Sequence, residues 1–115
     1  MNYDIVLHID ELDPKRLKLA FTNFVNYKEA LQGEEFKAVL VVNGPAVQLL
    51  TNDFTALKEL AEFVKAEGLS IRVCANALRT FKIKPETIWN VCDVVPAGLV
   101  ELVELQRDDF AYIRP

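Results

Sequence analysis

The run Ala38-Val39-Leu40-Val41-Val42, closed by Asn43-Gly44-Pro45, constrains this chain more than any other segment. It is too short for a helix and rich in β-branched residues, which suit a pleated strand. A strand with no polar alternation is buried on both faces, the habit of parallel sheets covered by helices on either side. Parallel strands need long crossovers, so helices must separate this run from its neighbours.

The rest of the chain supplies them. Tyr3 to Ile9 reads as a first strand, Phe36 to Val42 as the second, Leu69 to Val73 as the third and Val91 to Val95 as a short fourth. Asp13-Pro14 gives an N-cap with proline at the first helical position, and Leu17, Ala20, Phe21, Phe24, Val25 and Leu31 keep one face apolar until Gly33. After Thr51-Asn52-Asp53 a second helix carries Leu57, Leu60, Ala61 and Val64 and stops at Gly68. Two short helices are expected next, one capped by Asn76 and one started by Pro85 that holds Ile88 and Trp89. Pro96-Ala97-Gly98 then opens a last helix with Leu99, Leu102 and Val103 inward, and Phe110 to Ile113 is a fifth strand or an ordered tail. The expected fold class is α/β, with a mostly parallel sheet between helical layers.

Composition narrows the function. A net charge of −4 with 13 basic residues dispersed among 17 acidic ones does not supply the clustered Lys and Arg that nucleic acid requires. No apolar stretch reaches the length of a membrane span. Met1-Asn2-Tyr3-Asp4-Ile5 enters a strand pattern without the regions of a signal peptide, so the cytoplasm is the expected compartment and the two cysteines are expected to be reduced.

In an open parallel sheet ligands bind beyond the carboxyl ends of the strands. Here those ends carry His8-Ile9-Asp10-Glu11, Asn43-Gly44-Pro45, Cys74-Ala75-Asn76 and Pro96-Ala97-Gly98. Cys74 would stand at a strand lip before a helix N-terminus, where partial positive charge and free N–H groups favour a thiolate. The alternative is a small buried hydrophobe. His8, the only histidine, is either a structural residue or a group that orients or deprotonates the thiol. Asn43, Gly44, Pro45, Asn76, Pro96 and Gly98 are candidates for holding a ligand, although Gly44-Pro45 lacks the pattern of a phosphate-binding loop. Asp10 and Glu11 read as a solvated loop. Cys92 reads as core, and its distance from Cys74 fits no zinc or Cys-X-X-Cys spacing, so neither metal nor cofactor is expected. The acidic pair also suggests a response regulator, but Cys74 occupies the place of the phosphoacceptor aspartate.

Taken in order, His8-Ile9-Asp10-Glu11, Asn43-Gly44-Pro45, Cys74-Ala75-Asn76-Ala77-Leu78, Val94 to Leu102 with its Val-Pro-Ala-Gly core, Gln106 and the terminal Ala111-Tyr112-Ile113-Arg114-Pro115 give a pattern that resembles the DsrE/DsrF-like family. The resemblance implies one DsrE-like domain over residues 1–115, a three-layer α/β/α sandwich with a five-stranded sheet, and assembly into trimers or hexamers. It also implies persulfide sulfur carried on Cys74 between donor and acceptor protein thiols. A non-catalytic oligomeric module that binds a small anion or a nucleotide-like ligand at the same sheet edge is the other reading. Asp108-Asp109-Phe110 departs from the glycine and tyrosine usual before the terminal motif.

Overall fold

The strand-forming runs pair as their composition requires. In the computed structural model, which describes Met1–Pro115, β1 (Ile5–Ile9), β2 (Ala38–Val42), β3 (Leu69–Cys74), β4 (Cys92–Val95) and β5 (Ala111–Ile113) form one sheet in the order β4-β3-β2-β1-β5. Every pairing is parallel, with Ile9 opposite Val42, Val42 opposite Val73, and Cys74 opposite Val95. All five residues of β2 are buried, as its apolar run demands. Four α-helices accompany the sheet: α1 (Pro14–Ala30), α2 (Lys58–Ala66), α3 (Ala75–Thr80) and α4 (Gly98–Arg107). At the start of α1 the Asp13 carboxylate accepts a hydrogen bond from the Lys15 amide at 2.9 Å, so the cap read from the sequence is present.

Strand alternation splits the interior into two unequal cores. Ile5, Leu7, Ile9, Leu40, Ile71 and Val73 point to the larger, which α1 and α2 cover. Val6, Val39 and Val41 point the other way, against Leu102 and Leu105 of α4 with Phe110 beside them. The architecture is therefore a three-layer α/β/α sandwich with a thin second layer.

Two local expectations are corrected. Leu99 and Val103 face outward, Leu99 being 69% exposed, whereas Leu102 is 3% exposed and packs on the sheet with Leu105. Apolar residues occur around most of this helix, so only contact with the sheet selects the buried face. The Pro85 helix is a single 3₁₀ turn, Pro85–Thr87, and Ile88 and Trp89 lie beyond it. Ile88 bridges antiparallel to Thr51, and the fully buried Trp89 donates its Nε1–H to the carbonyls of Thr51 at 2.9 Å and Phe54 at 3.1 Å. A buried indole needs such acceptors, which draws the segment into extended pairing. The segment after Asn43 forms a 3₁₀ helix, Gly44–Leu50, that buries Ala46, Val47, Leu49 and Leu50.

The C-terminal segment is strapped to the sheet edge. β5 pairs with β1, placing Tyr112 opposite Val6. Asp109 turns the chain into β5 with φ +66°, a conformation glycine adopts freely and aspartate tolerates. The Arg114 guanidinium then grips Asp10 with two hydrogen bonds of 2.6 and 3.0 Å, and Arg16 donates to the Pro115 carbonyl at 2.7 Å.

Hydrogen bonding from Arg114, more than any other influence, holds the Asp10 carboxyl below its ordinary value, against the opposing effect of desolvation. A depressed folded-state value means that the clamp's contribution is complete above the unfolded carboxylate range of about 4 and is lost as pH falls through the lower folded value. Protection factors for the amides of Ala111–Ile113, measured by hydrogen exchange, are expected to stay level from neutral pH to about pH 4 and to fall below it. Arg114→Ala should lower them by about two- to fivefold at pH 7, the scale of an exposed ion pair.

Candidate functional site

Because all strands run one way, their carboxyl ends and the turns that follow share one edge. There a crevice of about 410 Å³ opens between the ends of β2 and β3 and the starts of α3 and α4. Cys74, Asn43, Gly44, Pro45, Asn76 and Gly98 line it, six of the eight residues singled out from sequence. Thr80, Phe81 and Leu99 join them. Thr80 lies one helical turn after Asn76, a spacing from which it could have been read. Pro96 lies outside the lining and sets the turn into α4. Another cleft, of about 390 Å³, lies near the opposite edge beside Phe24, Phe36 and Phe63 and contains no cysteine.

Cys74 ends β3 and is itself the N-cap residue of α3, with φ −72° and ψ 118°. The strand passes into the helix with no loop between them. Asn76, expected as the cap, already lies within the helix, and its side-chain oxygen accepts a hydrogen bond from Arg79 one turn on. The Cys74 thiol is free, has no hydrogen-bond partner in the protein, and belongs to a residue that keeps 6% of its surface. It borders both the larger core and the crevice, so access comes only through the crevice mouth.

The start of α4 comes unusually close. A Cβ at Gly98 would lie 3.1 Å from Asn43 Cβ, 3.2 Å from Cys74 Cβ and 3.4 Å from Val41 Cγ1. A side chain there would force its neighbours to shift, so glycine lets the helix begin this close to β2 and β3. No side chain caps α4, which leaves its first N–H groups free beside the thiol.

His8 is buried on β1 and does not reach Cys74, because β2 lies between their strands. Its Nδ1 is 2.6 Å from the Tyr112 hydroxyl and its Nε2 is 2.8 Å from Asn43 Oδ1. The place of Tyr112 beside His8 depends on the β1–β5 register, which sets it opposite Val6. Asp10 and Glu11 are engaged by Arg114 and Arg16. Cys92 lies at the start of β4 against the larger core, where burial first and neighbouring Asp93 second push its thiol up to about 12. The two cysteines thus differ in kind: Cys92 is held protonated, and Cys74 faces a crevice.

Gly98→Ala is expected to destabilise the fold by roughly 1–3 kcal/mol, the cost of a methyl group forced into a packed contact. It should also slow alkylation of Cys74 by iodoacetamide in the folded protein. Denaturation curves and peptide mass mapping would check the two effects, and unchanged values of both would refute the close approach.

The model of the DsrE/DsrF-like family matches residues 6–115. Among solved structures, that of MTH1491 from Methanobacterium thermoautotrophicum, a protein of unknown function, superposes with a TM-score of 0.90 at 28% identity, covering 99% of this chain and 100% of that one. No curated protein matches. With nearly the whole sequence matched and the parallel sheet, strand-end turns and terminal strand all in place, the chain belongs to the DsrE/DsrF-like family.

Proposed function

We propose that this protein is a cytoplasmic sulfur carrier that holds persulfide sulfur on Cys74 and passes it between protein thiols. One observation carries the reading: a free thiol, the uncapped start of α4 and the Asn43 amide meet at one crevice. Membership of the DsrE/DsrF-like family supports it.

The Cys74 thiolate attacks the outer sulfur of a donor persulfide, R–S–SH. A sulfur–sulfur bond forms to Cys74, the donor's own sulfur–sulfur bond breaks, and R–S⁻ departs and takes up a proton. Delivery reverses the roles: an acceptor thiolate attacks the outer sulfur and Cys74 leaves as thiolate. No cofactor or external electron enters either exchange. The free N–H groups of α4 stabilise the anionic sulfur. Asn43, Gly44, Pro45, Asn76 and Gly98 shape the space for the incoming persulfide, Pro96 fixes the turn that presents Gly98, and His8 acts through Asn43.

The carrier works as a homo-oligomer, a trimer or hexamer, assembled through α4. Leu99, Val100 and Val103 form an exposed apolar stripe on this helix, and Leu99 also lines the crevice. A second copy docked there would stand beside the sulfur entrance.

Treatment with polysulfide, or with a cysteine desulfurase and cysteine, is expected to add one sulfur atom to the intact mass. Cys74→Ala should abolish the gain and Cys92→Ala should keep it. An unchanged mass for the native protein would favour the module that merely binds an anion, and uptake on Cys92 would refute the assignment. Val100→Asp is expected to shift sedimentation from oligomer to monomer without loss of helix content. A native protein that already sediments as a monomer would refute the assembly.

A further inference from the structure

The sulfur-carrier reading has His8, the buried polar residue of the chain, act through Asn43, and the hydrogen bonds of its imidazole show by what means. It is 8% exposed, lies in the thin layer beneath α4, and has a partner for each ring nitrogen, Tyr112 on one side and Asn43 on the other. A neutral imidazole has one donor and one acceptor. The atom facing Nε2 is the carbonyl oxygen of Asn43, which can only accept, so Nε2 carries the proton. Nδ1 is then the acceptor, and the Tyr112 hydroxyl donates to it across 2.6 Å.

The far end of the Asn43 amide completes the line. Its Nδ2 donates to nothing in the protein, yet no buried side-chain nitrogen or oxygen lacks a partner, so this group keeps contact with solvent. Asn43 lines the crevice with Cys74 and lies with it against Gly98. Turned the other way, the amide would offer its oxygen to an anionic sulfur and repel it. The direction of one amide therefore decides whether Asn43 helps or opposes charge on Cys74.

We infer that Tyr112 and His8 are positioning residues that lock the Asn43 amide with its NH₂ group toward the crevice, making Asn43 the side-chain donor to sulfur held on Cys74. This rests on the carrier reading for the identity of the sulfur species, but the lock itself does not. The terminal strand thus reaches the site through three side chains.

Because His8 is the only histidine, labelling with ¹⁵N-histidine gives signals from a single ring. Long-range ¹H–¹⁵N correlation spectra recorded at about pH 8, above the ordinary histidine range, are expected to show the Nε2-protonated tautomer in the native protein. Tyr112→Phe should give a tautomer mixture. The same variant should slow sulfur uptake from polysulfide by about two- to tenfold, the worth of one hydrogen bond. Asn43→Ala should slow it at least as much, and the double variant no more than Asn43→Ala alone, because Tyr112 acts only through Asn43. A native Nδ1-protonated ring, an unchanged tautomer in Tyr112→Phe, or additive effects in the double variant would overturn the inference. If the native protein takes up no sulfur, the carrier reading fails separately. The spectra and the iodoacetamide rates of Cys74 in the same four proteins then decide the lock on the same criteria.

Discussion

β2 is hydrogen-bonded in parallel to β1 on one side and to β3 on the other, and the rest of the structure follows from that placement. Parallel pairing forces each connection to travel back across a face of the sheet, and it gathers every strand-end turn at one edge. The same pairing fixes register, so Val42 stands opposite Val73 and the next residue of each strand, Asn43 and Cys74, emerges at the rim. A slip of one residue would turn β3 over and bury Arg72 in the larger core. Arg72 instead meets Glu101 of α4 at 2.8 Å on the thin side. The crevice is thus a product of the sheet and needs no specialised loop to create it.

The inequality of the two layers explains where polar chemistry is tolerated. On the α1 and α2 side the core is continuous and apolar, and Cys92, packed against it, is held protonated there. On the other side a single helix covers the sheet, leaving room for Arg72, His8 and their partners. A buried polar group without a hydrogen bond costs about 1–3 kcal/mol, and no such orphan side-chain atom exists in this protein. The close seating of α4 rests on Gly98, the point where packing and chemistry meet.

The fold was legible because β-branched runs such as Ala38–Val42 can satisfy only one environment, and because Asp13-Pro14 marks a helix start by local chemistry. The sheet edge was legible for the same reason: once the strands are parallel, their ends must converge. What stayed hidden depended on tertiary contact. Sequence placed the cap at Asn76, but β3 continues unbroken to Cys74, so the cap falls two residues earlier. The inward face of α4 was misread at Leu99 and Val103 because both faces of that helix are apolar. Tyr112 could be linked to His8 only through the pairing of a three-residue strand whose register no local signal sets.

The central claim is that sulfur is held on Cys74, facing the start of α4 and the Asn43 amide. A crystal structure of the protein after polysulfide treatment tests this most directly. The expected result is one additional sulfur bonded to Cys74 Sγ, lying in the crevice within hydrogen-bonding reach of Asn43 Nδ2 or the first amides of α4. Extra density on Cys92, or a Cys74 side chain turned into the core with its thiol unmodified, would contradict it.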